Sequence, residues 1–380
     1  MDKEINIKKK IFFVIDSLQV GGAEKSIFEI VSRLPSNIEP VVVVIYQNIE
    51  LKHLFDEAGV KLEIFGLTGK YEWRKAKLLF RQLCERFNPD LVVATLYRSE
   101  IISRTVCHQL GIRHIGTFVN DNYSSYARDD WSWSLRIKKT YFWILNRWTA
   151  RYCYRFLANS ESIKRNNSNN LGIRLDKIDV IYRGRNVDRF DFQVDDRLKT
   201  NSYRLLNVGR LLKRKGQLEL VEAFAHFSKK NPYASLTIAG EGELRTELES
   251  LVQKFQLEEK VFLPGNVSNV PELLQECDLF VFPSWYEGFS GALVEAMLAG
   301  APIVASDIDM NTEAVEYGKT AHLFKVQKID SLAKSLDYAV GHPEQMRDMA
   351  RKARKVAEVK YDIENIAQQH AQQYQKYMNC

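Results

Sequence analysis

Short, unbroken runs of β-branched and other apolar residues alternate with helix-like stretches along the whole of this chain. They fall at Ile11–Ile15, Val41–Ile45, Lys61–Phe65, Leu91–Thr95, His114–Phe118, Phe156–Asn159 and Asp179–Tyr182 in the first half. In the second half they fall at Arg204–Val208, Ser235–Ala239, Val261–Leu263, Leu279–Phe282, Ile303–Ala305 and His322–Phe324. Runs that are continuous rather than alternating mark strands covered on both faces, as in a parallel sheet. Stretches such as Lys25–Leu34 and Leu218–Lys230 supply the crossover helices. The pattern predicts an α/β chain of doubly wound domains.

A length of 380 residues exceeds one ordinary core and suits two domains of roughly 150–200 residues. The polar, charge-dense stretch 191–202, DFQVDDRLKTNS, is the expected linker between domains at 1–190 and 203–360. Residues 361–380 are expected to form a last, polar helix. With 45% hydrophobic and 27% charged residues the chain reads as globular. No apolar run approaches the roughly 20 residues of a spanning helix. The start, MDKEINIKKKIFFVID, lacks the pattern of a secretory signal. Five scattered cysteines (Cys84, Cys107, Cys153, Cys277, Cys380), none in CxxC spacing, argue against a disulfide framework or zinc site and for a cytoplasmic setting. The net charge of +6 is too mild for a nucleic-acid binder and points to small anionic ligands or a membrane surface.

The strongest local pattern is FPSWYEGFSGALVEAMLAGAPIVASD, residues 282–307. A strand ends at Phe282, a loop runs through Phe289, and a helix spans Gly291–Ala299 before Gly300 and Pro302 stop it. Gly288 and Gly291 let backbone approach a ligand, and the helix start suits a phosphate. Glu287 in the loop and Glu295 in the helix can border one cleft, where a carboxylate accepts two hydroxyls of a sugar or ribose. Two solvated glutamates would be the plain alternative.

A second pattern, LLNVGRLLKRKGQLELVEAFA at 205–225, places Arg210, Lys213, Arg214 and Lys215 after a buried strand. The C-terminal edge of a parallel sheet is where such folds bind ligands, and Arg and Lys there would neutralise a pyrophosphate. A solvated basic turn would carry the same residues. Gly21-Gly22-Ala23-Glu24 is a glycine turn before a helix but is not GxGxxG. It is either a ligand-facing loop or a plain turn.

EGFSGALVEAMLAG resembles the E-x7-E signature of family 4 retaining glycosyltransferases, and GGAEKS, NVGRLLKRKG, TIAGEGELR and DLFVFPSWYEG extend the resemblance over most of the chain. The resemblance implies a GT-B architecture, two Rossmann-like domains facing a central cleft, with a UDP- or GDP-sugar held mainly by the C-terminal domain. No cofactor and no metal are expected. Arg210 and Lys215 would hold the diphosphate, Glu287 the transferred sugar and Glu295 the ribose. Backbone of Gly288, Phe289, Ser290, Gly291 and Ala292 would cradle phosphate, and Gly22 would line the cleft. The final helix would cross back to the N-terminal domain. Where many members carry a histidine this chain reads FVNDN, so Asn120 and Asp121 are the candidates there. Arg183-Gly184-Arg185-Asn186-Val187-Asp188 replaces a commoner Pro-Asn-Gly-Val-Asp, and its arginines would meet an acceptor phosphate or form a charged turn.

Residues 131–155 hold six Lys/Arg, four Trp and no acid. On a helical wheel Ile137, Tyr141, Ile144, Leu145, Trp148 and Tyr152 share one face, and Arg136, Lys139, Arg147, Arg151 and Trp143 the other. The apolar face is expected to pack on the sheet, with the basic face either solvated or resting on an anionic membrane. The function expected is retaining transfer of a hexosyl or N-acetylhexosaminyl group to a glycan or lipid-linked acceptor in cell-surface polysaccharide synthesis. The setting is the cytoplasm, with peripheral attachment to the inner face of the membrane. A sugar-nucleotide epimerase and a non-catalytic binding subunit are the alternatives.

Overall fold

The computed structural model describes residues 8–69, 72–120, 133–192, 197–198 and 202–379. Contacts divide the chain into two units, one of Met1–Gly184 with Ile363–Cys380 and one of Arg185–Asp362. The first contains β1 (Lys9–Ile15), α1 (Gly22–Val31), β2 (Ile38–Tyr46), α2 (Lys52–Glu57), β3 (Lys61–Leu67), α3 (Trp73–Phe87) and β4 (Leu91–Thr95). It continues with α4 (Tyr97–Leu110), β5 (His114–Phe118), α5 (Trp133–Ala150), β6 (Arg155–Ala158), α6 (Glu161–Leu171) and β7 (Ile178–Val180). Its strands form one parallel sheet in the order β3-β2-β1-β4-β5-β6-β7. Val41 to Ile45 are wholly buried, as expected of a strand covered on both faces.

The second unit runs through β8 (Arg204–Val208), α7 (Gln217–Lys230), β9 (Ser235–Ala239), α8 (Arg245–Lys254), β10 (Val261–Gly265), α9 (Val270–Glu276) and β11 (Leu279–Phe282). After these come α10 (Gly291–Leu298), β12 (Ile303–Ser306), α11 (Asp309–Ala314), β13 (His322–Phe324), α12 (Ile329–Gly341) and α13 (Pro343–Lys360). Its six parallel strands are ordered β10-β9-β8-β11-β12-β13. Each sheet reverses its strand order beside its first strand, between β1 and β4 and between β8 and β11, the places where doubly wound sheets open a crevice. Each of the thirteen runs singled out in the sequence overlaps a strand, although β7 ends at Val180, short of Tyr182, and β6 ends at Ala158. The fold is two Rossmann-like α/β domains.

The last helix, α14 (Ile363–Asn379), belongs to the first unit. It buries Ile363, Ile366, Tyr374 and Tyr377, sets Tyr374 edge-on to Phe13 at 5.6 Å and donates from the Tyr377 hydroxyl to Asp179 at 2.5 Å. The chain passes between units at Gly184–Arg185, upstream of the stretch 191–202. Within that stretch Arg197 is buried in the second unit, donating to the carbonyls of Cys277 and, at 3.0 Å, Ala299. Arg197, a charged residue in a stretch that reads as linker, thus caps carbonyls of that unit.

Helix α5 is turned opposite to the expectation. Ile137, Tyr141, Ile144 and Trp148 are exposed, while Asn146, Thr149 and Ala150 are buried. The cause is Arg104 of α4, fully buried and paired with Glu100. Its guanidinium also donates to Asn146 Oδ1 at 2.7 Å and Thr149 Oγ1 at 3.2 Å. A buried cation must have its hydrogen bonds met, so the polar stripe of α5 faces inward. Trp143, expected among the basic residues, is half-buried and donates to the Asn170 carbonyl at 3.0 Å.

Candidate nucleotide-sugar site

In the second unit the loops after β8 and β11 lie side by side. The Trp285 amide donates to the Arg214 carbonyl at 2.8 Å. Gly216 sits at φ +68°, and a Cβ there would overlap the Pro283 carbonyl oxygen. Only glycine adopts that turn and allows that approach without strain. The two loops therefore bring the cations of one motif onto the carboxylate of the other.

Glu287 is 7% exposed. Lys215 Nζ forms an ion pair with Oε1, and Arg214 Nη1 lies 3.5 Å from Oε2. Burial acts to raise the carboxyl's pKa, but the charges of Lys215 and Arg214 outweigh it and hold it at about 2. Burial, with Arg214 and Arg210 nearby, lowers the Lys215 pKa despite the pull of Glu287. Arg214 also donates to the Tyr286 carbonyl at 3.2 Å and stacks its guanidinium on that ring at 5.3 Å. Arg210 is exposed at the end of β8, and its carbonyl accepts from Gln217 Nε2 at 3.2 Å.

Helix α10 begins at Gly291, with the Ser290 hydroxyl accepting from the Leu293 amide as its N-cap. Gly288 is buried and Ala292 half-buried. Phe289 is turned inward, 1% exposed, with its ring 5.0 Å from that of Tyr361. Its side chain anchors the loop, and only its backbone is left for a ligand. Glu295 receives Arg185 Nε at 2.6 Å. The same guanidinium covers Gly291, where a Cβ would overlap it. Sequence reading left Arg185 between an acceptor phosphate and a charged turn. The structure sets it on Glu295 and the first turn of α10, and joins Arg214 to the Lys215–Glu287 pair. The signal for Arg214 was its place in the basic run.

In the first unit Gly22 opens α1, and a Cβ there would lie 3.1 Å from Arg183 Nη1. Asn120 is exposed after β5 and lines a polar cavity with Asp16, Tyr97, Glu100, Asn146 and Asn167. Asp121 lies outside the described residues. Leu96, at the cavity wall, holds φ +75°, a conformation that costs a non-glycine residue on the order of 1–3 kcal/mol. Burial raises the Asp16 pKa against the Ser99 amide, which donates at 2.8 Å. It lifts Glu100 to about 7 against the pull of Arg104. Among the described residues no group of three or more His, Cys, Asp or Glu is placed to hold a metal ion. No helix among them is long and apolar enough to cross a membrane.

Residues 20–189 match the model of Glycosyltransferase Family 4, and residues 188–356 that of Glycosyl transferases group 1. The N-acetylgalactosamine-N,N'-diacetylbacillosaminyl-diphospho-undecaprenol 4-alpha-N-acetylgalactosaminyltransferase of Campylobacter jejuni is 30% identical over 151 residues, 40% of each chain. The UDP-Gal:alpha-D-GlcNAc-diphosphoundecaprenol alpha-1,3-galactosyltransferase of Escherichia coli is 31% identical over 171 residues, 42% of this chain and 44% of that protein. The chain spans about half the length, or less, of the curated relatives it matches. Anabaena HepE in complex with UDP-glucose superposes with a TM-score of 0.82 at 22% identity, over 97% of this chain and 99% of that one. That likeness is one of fold.

Proposed function

Because the chain belongs to glycosyltransferase family 4, we propose that it transfers a hexosyl or N-acetylhexosaminyl group from a UDP- or GDP-sugar, with retention, to a glycan or lipid-linked acceptor. The product would enter cell-surface polysaccharide or lipopolysaccharide, built on the cytoplasmic side of the membrane. The observation that carries this reading is the buried Lys215–Glu287 pair, with Arg214 on it and Arg210 nearby. A departing nucleoside diphosphate gathers negative charge. Arg210, Lys215 and the N-terminal end of α10 are a fixed set of positive groups for it, so the transfer asks for no metal ion.

Glu287, held at about 2, stays ionised at neutral pH. It is too weak a base and too strong an acid for proton transfer there. Its chemistry is to accept hydrogen bonds from hydroxyls of the sugar as positive charge develops at the anomeric carbon. The acceptor's proton then passes to a leaving phosphate oxygen, on the face the diphosphate vacates, which accounts for retention. Glu295 takes the ribose diol, and backbone from Gly288 to Ala292 meets the phosphates. Asn120, which lines the polar cavity of the first unit, is assigned to sugar contacts, and Asp121 is a further candidate for them.

The test is a panel of UDP-, GDP- and ADP-sugars mixed with purified protein. Slow release of nucleoside diphosphate from one donor supports transfer. Interconversion of sugars with the nucleotide intact would make the protein an epimerase. Binding without any turnover would make it a non-catalytic subunit.

A further inference from the structure

Four large apolar side chains stand out on one face of α5. Ile137, Tyr141, Ile144 and Trp148 are 57%, 62%, 54% and 51% exposed. At roughly 100° per residue they fall within an arc of about 60°, a stripe along the helix axis. The opposite side of the helix carries Asn146 and Thr149, fixed inward by Arg104. The stripe's exposure is thus a consequence of the core.

The stripe is bordered by cations. Arg136, Arg147 and Arg151 are exposed, and 133–155 contains no Asp or Glu. The Arg151 guanidinium lies over the Trp148 ring at 4.5 Å and the Tyr152 ring at 5.1 Å. The aromatic rings and the charges that border them therefore form one continuous surface.

We infer that this face of α5 docks on an anionic lipid bilayer, with Ile137, Tyr141, Ile144 and Trp148 in the interface and Arg147 and Arg151 on lipid phosphates. Large apolar residues in water along a helix of high positive charge are the make-up of a helix that lies in the plane of a membrane surface. The same face is poorly suited to a second copy of this chain. A two-fold contact would set Arg147 and Arg151 against their own kind, whereas an anionic bilayer meets both the apolar stripe and its charges. This inference does not rest on the transferase reading. It gives that reading a physical setting, because Asn146 on the other side of α5 lines the polar cavity that also contains Asn120.

The test is flotation of the full chain with vesicles of equimolar phosphatidylglycerol and phosphatidylcholine, and with phosphatidylcholine alone. The wild type is expected to float with the mixed vesicles and not with the neutral ones. Ile144→Glu with Trp148→Glu is expected to lower partitioning at least about tenfold. Arg147→Gln with Arg151→Gln is expected to lower it about fivefold for each cation, and less at high salt. Melting temperature and nucleoside diphosphate binding, read on the same preparations, show that the fold is intact. Absence of wild-type flotation overturns the inference, as does a Glu pair that floats like the wild type. A dimer in sedimentation velocity that the Glu pair dissociates, without vesicle binding, also overturns it and names a second copy as the occupant. Failure of the donor panel leaves these readouts unmoved.

Discussion

Replacing Glu287 by Gln removes one charge from a cluster that is otherwise all cationic, and its effect can be worked from the geometry. Lys215 and Arg214 draw the Glu287 pKa from its ordinary 4.5 to about 2, worth about 3 kcal/mol at 1.36 kcal/mol per pKa unit. Burial lowers the Lys215 pKa at the same time, so part of this is offset and about 3 kcal/mol is the upper figure. For a unit of this size each kcal/mol moves the melting temperature by about 2–4 °C. Glu287→Gln is then expected to lower the transition of the second unit by up to about 6–12 °C at neutral pH. A carboxyl whose folded pKa lies below its unfolded value adds stability above the unfolded value and loses it as pH falls through the folded one. The difference between wild type and variant is therefore full above about pH 5 and gone near pH 2. Scanning calorimetry of both proteins across that range is the assay. Equal melting at neutral pH would refute the ion-paired Glu287, and a difference that persisted unchanged to pH 2 would refute the charge as its cause.

Arg210→Ala with Lys215→Ala is expected to weaken nucleoside diphosphate binding at least about tenfold, since one charged hydrogen bond is worth about 1.5–3 kcal/mol; calorimetric titration with UDP and GDP reads it, and unchanged affinity for both counts against the site. Arg185→Ala strips Glu295 of its partner and α10 of the guanidinium on its first turn, so UDP or GDP affinity is expected to drop by about tenfold, and an unaltered titration would leave Arg185 a structural ion pair. Gly216→Ala drives a Cβ into the Pro283 carbonyl at positive φ and is expected to cost more than about 1 kcal/mol; chemical denaturation measures it, and wild-type stability would contradict the close approach of the two loops.

The strands were legible in the sequence because two-sided burial is a local property. Every residue of Val41–Ile45 is apolar for a reason visible at that residue, although β2 itself begins at Ile38. The helix that begins at Gly291 was legible as well, its end marked by Gly300 and Pro302, whereas its Ser290 cap was found only in the structure. Pairings across long separations were not. Arg185 and Glu295 are 110 residues apart, and nothing in either motif names the other. The orientation of α5 was misread for a related reason. Its apolar stripe is the stronger periodic signal, but the buried Arg104 on another helix decides which side faces inward. Arg197 misled in the same way, since a charged residue in a polar stretch shows no sign of carbonyls waiting for it at Cys277 and Ala299.

Helix α14 makes the first unit discontinuous in the chain, and this sets an order of events during synthesis. The second unit, Arg185–Asp362, is complete before residue 363 is added. At ~5–20 residues per second its translation takes on the order of 10–40 s. Throughout that interval β1 lacks the cover of Tyr374, and Asp179 lacks the Tyr377 hydroxyl. The part of the chain made first is thus the last to close. A translational pause or a stop placed shortly before Ile363 would leave a finished second unit tethered to an unfinished first one. Such a species leaves uncovered the apolar surface of the first unit that Ile363, Ile366, Tyr374 and Tyr377 bury.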